Sequence, residues 1–293
     1  MYPKFIFVLI GLALAGLACN LSVNLPEVTL PGINFETMPM TTEPIEVPLP
    51  GDATSVTDLE LDFGAGEMNV SPGAQNALVS GTATYNVSEF KPEVTVAGNK
   101  VTISPEGGEL NTLPEIGTNI ENKWDLQLGD APLRLTIKAG AHRSEFELGG
   151  LSLQELSIAE AAADTEVSFS APNETEMNTF IYETGASSVD LTGLGNANFG
   201  SMNFRGGAGD FTLDFSGQLQ RDATVFIESG FSNLTVIVPE GIPARVDVEG
   251  GLTNVDADGA WQGTGGEFSQ AGQGPALTIR VRIGAGNLSL RNR

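Results

Sequence analysis

Cysteine and histidine each occur once in the chain, as Cys19 and His142. A single cysteine excludes an internal disulfide. With one histidine as well, no Cys/His zinc cluster can be assembled, and a Ser-His-Asp triad would have no spare base. Basic residues are scarce: 14 Lys and Arg stand against 37 Asp and Glu, a formal charge of −23. A face that binds nucleic acid needs clustered Lys and Arg, so nucleic-acid partners are excluded, as is docking of the body on anionic lipid. Tyr and Trp number three and two, while Gly reaches 36. That balance suits many turns and close strand spacing, not a helical bundle. Gly-x-Ser-x-Gly, the phosphate loop and His-Glu-x-x-His are all missing.

The chain opens with Met1, Tyr2, Pro3 and Lys4, then an apolar run from Phe5 to Ala18. Such a run is too short for a mature membrane span. A short positive start, an apolar stretch and small residues at its end make a signal peptide over 1–18. Gly16-Leu17-Ala18-Cys19 resembles the lipobox of bacterial lipoproteins. That resemblance implies a diacylglycerol on the Cys19 thiol and cleavage before it, which would anchor the chain to a membrane. Gly16 departs from the usual Leu at that position. Residues 20–52 carry Pro26, Pro31, Pro39, Pro44, Pro48 and Pro50, and no Lys or Arg occurs between Lys4 and Lys91. Residues 19–53 therefore read as an extended tether, whose roughly 30 residues at about 3.1 Å each reach up to about 90 Å. Alternation at Leu21, Val23 and Leu25 leaves a strand-like arm against the domain as the other reading.

Residues 54–293 repeat a pattern. With Gly64, Gly140, Ala161, Gly185, Gly207, Gly230, Gly251 and Gly284 as anchors, apolar or aromatic residues stand five and three positions before each. They are Leu59/Leu61, Leu135/Ile137, Leu156/Ile158, Phe180/Tyr182, Met202/Phe204, Val225/Ile227, Val246/Val248 and Ile279/Val281. Six positions after each anchor come Val70, Phe146, Val167, Leu191, Leu213, Val236, Ala257 and Leu290. Alternation puts one strand face inward and one in water. The anchor breaks the phase, so each unit is strand, Gly corner, strand, glycine tolerating positive φ and close backbone approach. Gly64, Gly140, Gly185, Gly207, Gly230, Gly251 and Gly284 are thus structural corners. The steps from anchor 140 to anchor 251 are 21, 24, 22, 23 and 21 residues. A unit that short buries its apolar face only by stacking on its neighbours, the logic of a parallel β-solenoid. A β-sandwich of meanders is the alternative. Val94-Thr95-Val96 and Val101-Thr102-Ile103 flank a turn and read as a hairpin. The last strand, Leu277 to Ile283, should face Leu277, Ile279, Val281 and Ile283 inward. Arg280 and Arg282 would point outward from a terminal edge and guard it against strand addition.

Leu59-Glu60-Leu61-Asp62-Phe63-Gly64-Ala65-Gly66, the run Thr84 to Glu93, and Asn122-Lys123-Trp124-Asp125-Leu126 resemble the toast-rack family of bacterial envelope proteins. That family is similar in turn to sensor-like domains of cell-wall-antibiotic response proteins and to adhesin head domains. The resemblance covers residues 55–293 and implies a parallel β-solenoid in the cell envelope, with no catalytic residues to carry over. Ala161-Ala162-Ala163 departs from it where a Gly corner is expected.

Other candidates weigh less. Glu183-Thr184-Gly185-Ala186-Ser187 resembles an aspartic-protease loop, but that chemistry needs two aspartates sharing a proton. Gly206 to Phe211 resembles a calcium-binding roll one residue out of register. Glu145/Glu147 and Asp256/Asp258 sit at outward, solvated positions, where polysaccharide lyases would hold carboxylates. His142 falls at a surface turn. No metal ligand set and no cofactor is expected, weak calcium on the acidic surface aside. The expectation is a non-catalytic lipoprotein, outside the cytoplasm and anchored through Cys19. Its solenoid binds an envelope protein or glycan or serves as a scaffold, or alternatively signals envelope stress through a membrane partner.

Overall fold

The computed structural model describes residues 36–52, 55–106 and 120–293. The leader over 1–18, Cys19 and residues 20–35 lie outside the described residues. The N-terminal end is built from β1 (Thr37–Pro48), β2 (Thr57–Asp62), β3 (Gly66–Pro72), β4 (Ala77–Val87), β5 (Pro92–Ala97), β6 (Lys100–Pro105) and β7 (Asn122–Leu128). Long rungs follow: β8 (Leu133–Glu147), β9 (Leu153–Ser168), β10 (Met177–Thr192), β11 (Phe199–Asp214), β12 (Ala223–Val238) and β13 (Ala244–Ala257). A hairpin of β14 (Gln262–Thr264) and β15 (Glu267–Gln270) leads to the last rung, β16 (Leu277–Asn292). Apart from two 3-10 turns there is no helix among the described residues.

β8 to β12 stack in parallel, each paired with the next. The apolar positions of the repeat meet in one register: Leu59, Leu135, Leu156, Phe180, Met202 and Val225 form one row across β2, β8, β9, β10, β11 and β12. Parallel pairing identifies a solenoid and rules out the sandwich. The reason lies in each rung's own pattern. In β10, Phe180 and Tyr182 are buried, Gly185 and Ala186 are both exposed, and Val189 and Leu191 are buried again. Two successive outward residues at the bend flip the phase, so both arms of one strand face the same core. Between adjacent rungs Tyr182 stacks on Phe204 with centroids 5.4 Å apart, and across the bend of β11 Phe204 meets Phe211 edge to face at 5.1 Å. At the terminal rung the row weakens: Val248 is half-buried and Ala257 exposed.

At the N-terminal end the two arms part. Beyond β8, one arm continues through β2 to β6 and β5, the other through β3 to β7, β4 and β1. β5 and β6 are the expected hairpin, Val94 opposite Ile103.

Two expectations are corrected. Residues 37–48, read as tether, are β1, the edge strand antiparallel to β4. Its alternation buries Ile45 and Val47, and an edge strand tolerates the missing donors of Pro39, Pro44 and Pro48. The second correction concerns the C-terminus. β16 is not an edge; it lies between β12 and β13, parallel to both. The terminal strand of the stack is β13, whose first half is covered by β15.

Candidate functional site

Outward columns run along the bend of the stack, one residue per rung. Two positions before the anchor stand Glu183, Arg205, Glu228, Arg282 and Glu249, in the spatial order β10, β11, β12, β16, β13. Their charges alternate. Arg205 Nη1 lies 2.5 Å from Glu183 Oε1 and its Nε 3.9 Å from Glu228 Oε2. Arg282 bridges Glu228 Oε1 at 3.1 Å and Glu249 Oε2 at 2.9 Å. Hydrogen bonding to Glu249, with the charges of Glu249 and Glu228, raises the pKa of the Arg282 guanidinium further. Each exposed pair contributes little by itself, but the order of the rungs sets every carboxylate of the column beside a guanidinium. With β13 directly on β12, Glu249 would face Glu228.

The anchor column is a floor of bare backbone. A Cβ on Gly207 would lie 2.5 Å from the Gly185 carbonyl oxygen, one on Gly230 2.6 Å from that of Gly207, and one on Gly284 2.6 Å from that of Gly230. Of the seven glycine anchors only Gly64, at φ 76°, has a positive φ. Close approach of neighbouring rungs, not backbone conformation, therefore reserves most of these positions. One residue further on, Ala186, Ala208, Phe231, Ala285 and Leu252 make an apolar column. Phe231 is 69% and Leu252 82% exposed. Three positions after the anchor come Asp210, Asn233, Asn287 and Asn254. Asn233 Nδ2 donates to Asp210 Oδ1 and Asn287 Nδ2 to Asn233 Oδ1, both at 2.8 Å. Over β11, β12, β16 and β13 the floor and the charged column enclose an open trough of about 780 Å³. Repeat alignment alone exposes Phe231 and Leu252, the two large residues in a column of alanines. The charge alternation is hidden until β16 is placed.

His142 is not the surface residue its sequence position suggests. The second position after the anchor points inward, and the imidazole is buried with Nε2 3.3 Å from Glu160 Oε2. Glu160, also buried, accepts hydrogen bonds from Tyr182 Oη at 2.8 Å and Thr165 Oγ1 at 2.9 Å. Burial, with the nearby Glu160 charge, pushes the Tyr182 hydroxyl well above its ordinary pKa. Tyr182 and Thr165 thus tie β10 to β9 through Glu160 beneath the bend, with the buried His142 imidazole of β8 packed beside the carboxylate and neither of its nitrogens hydrogen-bonded.

The remaining candidates are dispersed. Glu183 pairs outward with Arg205, while Thr184 and Ser187 bond one another inside, so their loop is a rung bend. Burial alone would raise the pKa of Glu147. Hydrogen bonds from Ser168 Oγ and the backbone N–H groups of Gly149 and Ser170 outweigh it, and the carboxyl sits below its usual value. Asp256 pairs with Arg291, and Asp258 caps the next backbone N–H. Among the described residues no three His, Cys, Asp or Glu converge as a metal site. No helix among them is long and apolar enough to cross a membrane.

Residues 37–183 match the family model described as the N-terminal domain of toast_rack, DUF2154. The chain belongs to the toast-rack family. The match opens on β1 and ends inside β10, while the rungs continue with the same repeat to the C-terminus. A candidate cell-adhesion protein from Clostridium sporogenes ATCC 15579 is 20% identical, with 87% of this chain and 100% of that one covered and a TM-score of 0.47. A candidate adhesin from Parabacteroides distasonis ATCC 8503 is 12% identical, covering 86% and 97% of the two chains at a TM-score of 0.41. No curated protein matches the chain.

Proposed function

We propose that this toast-rack protein is a non-catalytic cell-envelope lipoprotein, held by a diacylglycerol on Cys19, that displays its solenoid outside the membrane as a binding domain. The bend of the last four rungs is its binding face. The observation that carries this reading is the trough itself: wide, shallow and floored by glycine backbone, beside two large apolar side chains left in solvent. Enzymes favour enclosed, water-excluding clefts, whereas an open strip with exposed aromatic and aliphatic anchors suits contact with another surface. The cell-adhesion descriptions of its structural neighbours agree in kind.

Membrane fractionation tests the anchor. Wild type should partition with membranes, and Cys19→Ser should leave that fraction or keep its leader. If the variant fractionates and migrates like wild type, the lipoprotein reading fails.

A further inference from the structure

We propose that the bend of β11, β12, β16 and β13 is a two-fold self-association face whose partner is a second copy of this chain. The inference deepens the binding role given above by naming the partner.

The face is complementary to itself. Consider a two-fold axis parallel to the rungs, passing between β12 and β16 at the middle of the trough. It sets β12 against β16 of the second copy and β11 against its β13, each column facing the same column. In the charged column Glu228 then meets Arg282 of the second copy, and Arg205 meets its Glu249. In the apolar column Phe231 meets Ala285 of the second copy and Leu252 meets its Ala208, large against small each time. In the amide column Asn233 meets Asn287, two amides that can exchange hydrogen bonds, and Asp210 meets Asn254, whose amide N–H can donate to the carboxylate. Three independent columns are satisfied by one axis. Moving the axis onto a rung reverses this: Glu228 would face itself through β12, or Arg282 itself through β16. Isologous contact demands this kind of pairing.

The glycine floor gives Phe231 of the opposing copy space beside the backbone, and exposed Phe231 and Leu252 lose water on contact. Four rungs at about 4.8 Å span only about 14 Å, so the contact is small and a micromolar dissociation constant fits its size. The rungs from β10 to β1 lead away from the axis in opposite directions in the two copies. The N-terminal ends therefore point apart. Together with display from the membrane, that is the arrangement of two copies reaching from facing surfaces.

Sedimentation velocity of the full chain in mild detergent tests this. Wild type should dimerise in the micromolar range and weaken as salt rises, because charged columns are screened. Phe231→Asp and Leu252→Asp should each raise the dissociation constant about tenfold or more, and Ala285→Trp, which blocks the Phe231 contact, should do the same. Val96→Asp, at an exposed apolar position of β5 far from the face, should leave it unchanged. Unaltered circular dichroism keeps the comparison to association. A wild type that stays monomeric well above micromolar concentration overturns the inference, as does a dimer indifferent to all three face substitutions. Either result leaves the lipoprotein reading standing, since membrane fractionation decides that separately.

Discussion

Glu160 shows what a single buried charge requires of its neighbours. A carboxylate out of water is costly unless its lone pairs are met. Tyr182 and Thr165 meet them from the next rung and from its own. Tyr182→Phe removes a donor to a charged acceptor while keeping the ring, so stability should fall by about 2 kcal/mol, read from the urea midpoint. A loss indistinguishable from zero would mean that the Tyr182–Glu160 hydrogen bond contributes nothing to the fold. Glu60 makes the opposite case on the surface. Lys100 and Lys138 each approach within 2.7 Å, and their hydrogen bonds hold the Glu60 carboxyl below its ordinary 4.5. A lowered folded value stabilises the fold above pH about 4.5, and that contribution is lost as pH falls through the folded value. Glu60→Gln should therefore be less stable than wild type at neutral pH, and the gap should close on acidification. A gap that stays constant with pH would refute the assignment.

Each long rung is one element with a bend, and the bend depends on an atom that is missing. A Cβ at Gly230 would sit 2.6 Å from the Gly207 carbonyl oxygen, whereas one at Gly251 on the terminal rung finds the Gly284 oxygen at 3.3 Å. Gly230→Ala should force neighbouring rungs apart and cost about 2 kcal/mol or more. Gly251→Ala should cost well under half of that. Thermal unfolding of the two variants decides it, and equal losses would mean that rung contact does not reserve the glycines. Ala161 shows that the bend tolerates a methyl on one rung, which is why the repeat survives its interruption there.

Over the whole molecule the order of rungs departs from the order of the chain. β13 takes the terminal place and β16 returns between β12 and β13, burying Leu277, Ile279, Val281, Ile283, Leu288 and Leu290. Removing residues 277–293 should not merely fray an end. It takes a rung from inside the stack, leaves Glu228 facing Glu249 if β13 closes the gap, and strips cover from the β12 core. A chain ending at Ala276 should lose cooperative unfolding of its C-terminal rungs by hydrogen exchange, with protection kept in β8 to β10. Protection unchanged from β11 to β13 would contradict the internal position of β16.

Much of this was written locally. Alternation broken at fixed intervals by small residues specifies strands with a bend, because side-chain direction in a strand depends only on parity. The anchors therefore gave the register of all eight rungs, the inward rows and the solenoid. The hairpin of β5 and β6 was equally local. Other features needed the assembled chain. Prolines in β1 resemble a tether until β4 is present to pair with its free edge, since edge and linker place the same demand on backbone donors. His142 is buried because its position lies one step past a phase flip, which composition does not reveal. The place of β16 rests on two backbone ladders, to β12 and to β13, and on apolar residues buried between strands distant in sequence. Periodicity fixes how a rung lies on its neighbour; which neighbour it takes is decided by backbone ladders and apolar surface that meet only in the tertiary structure.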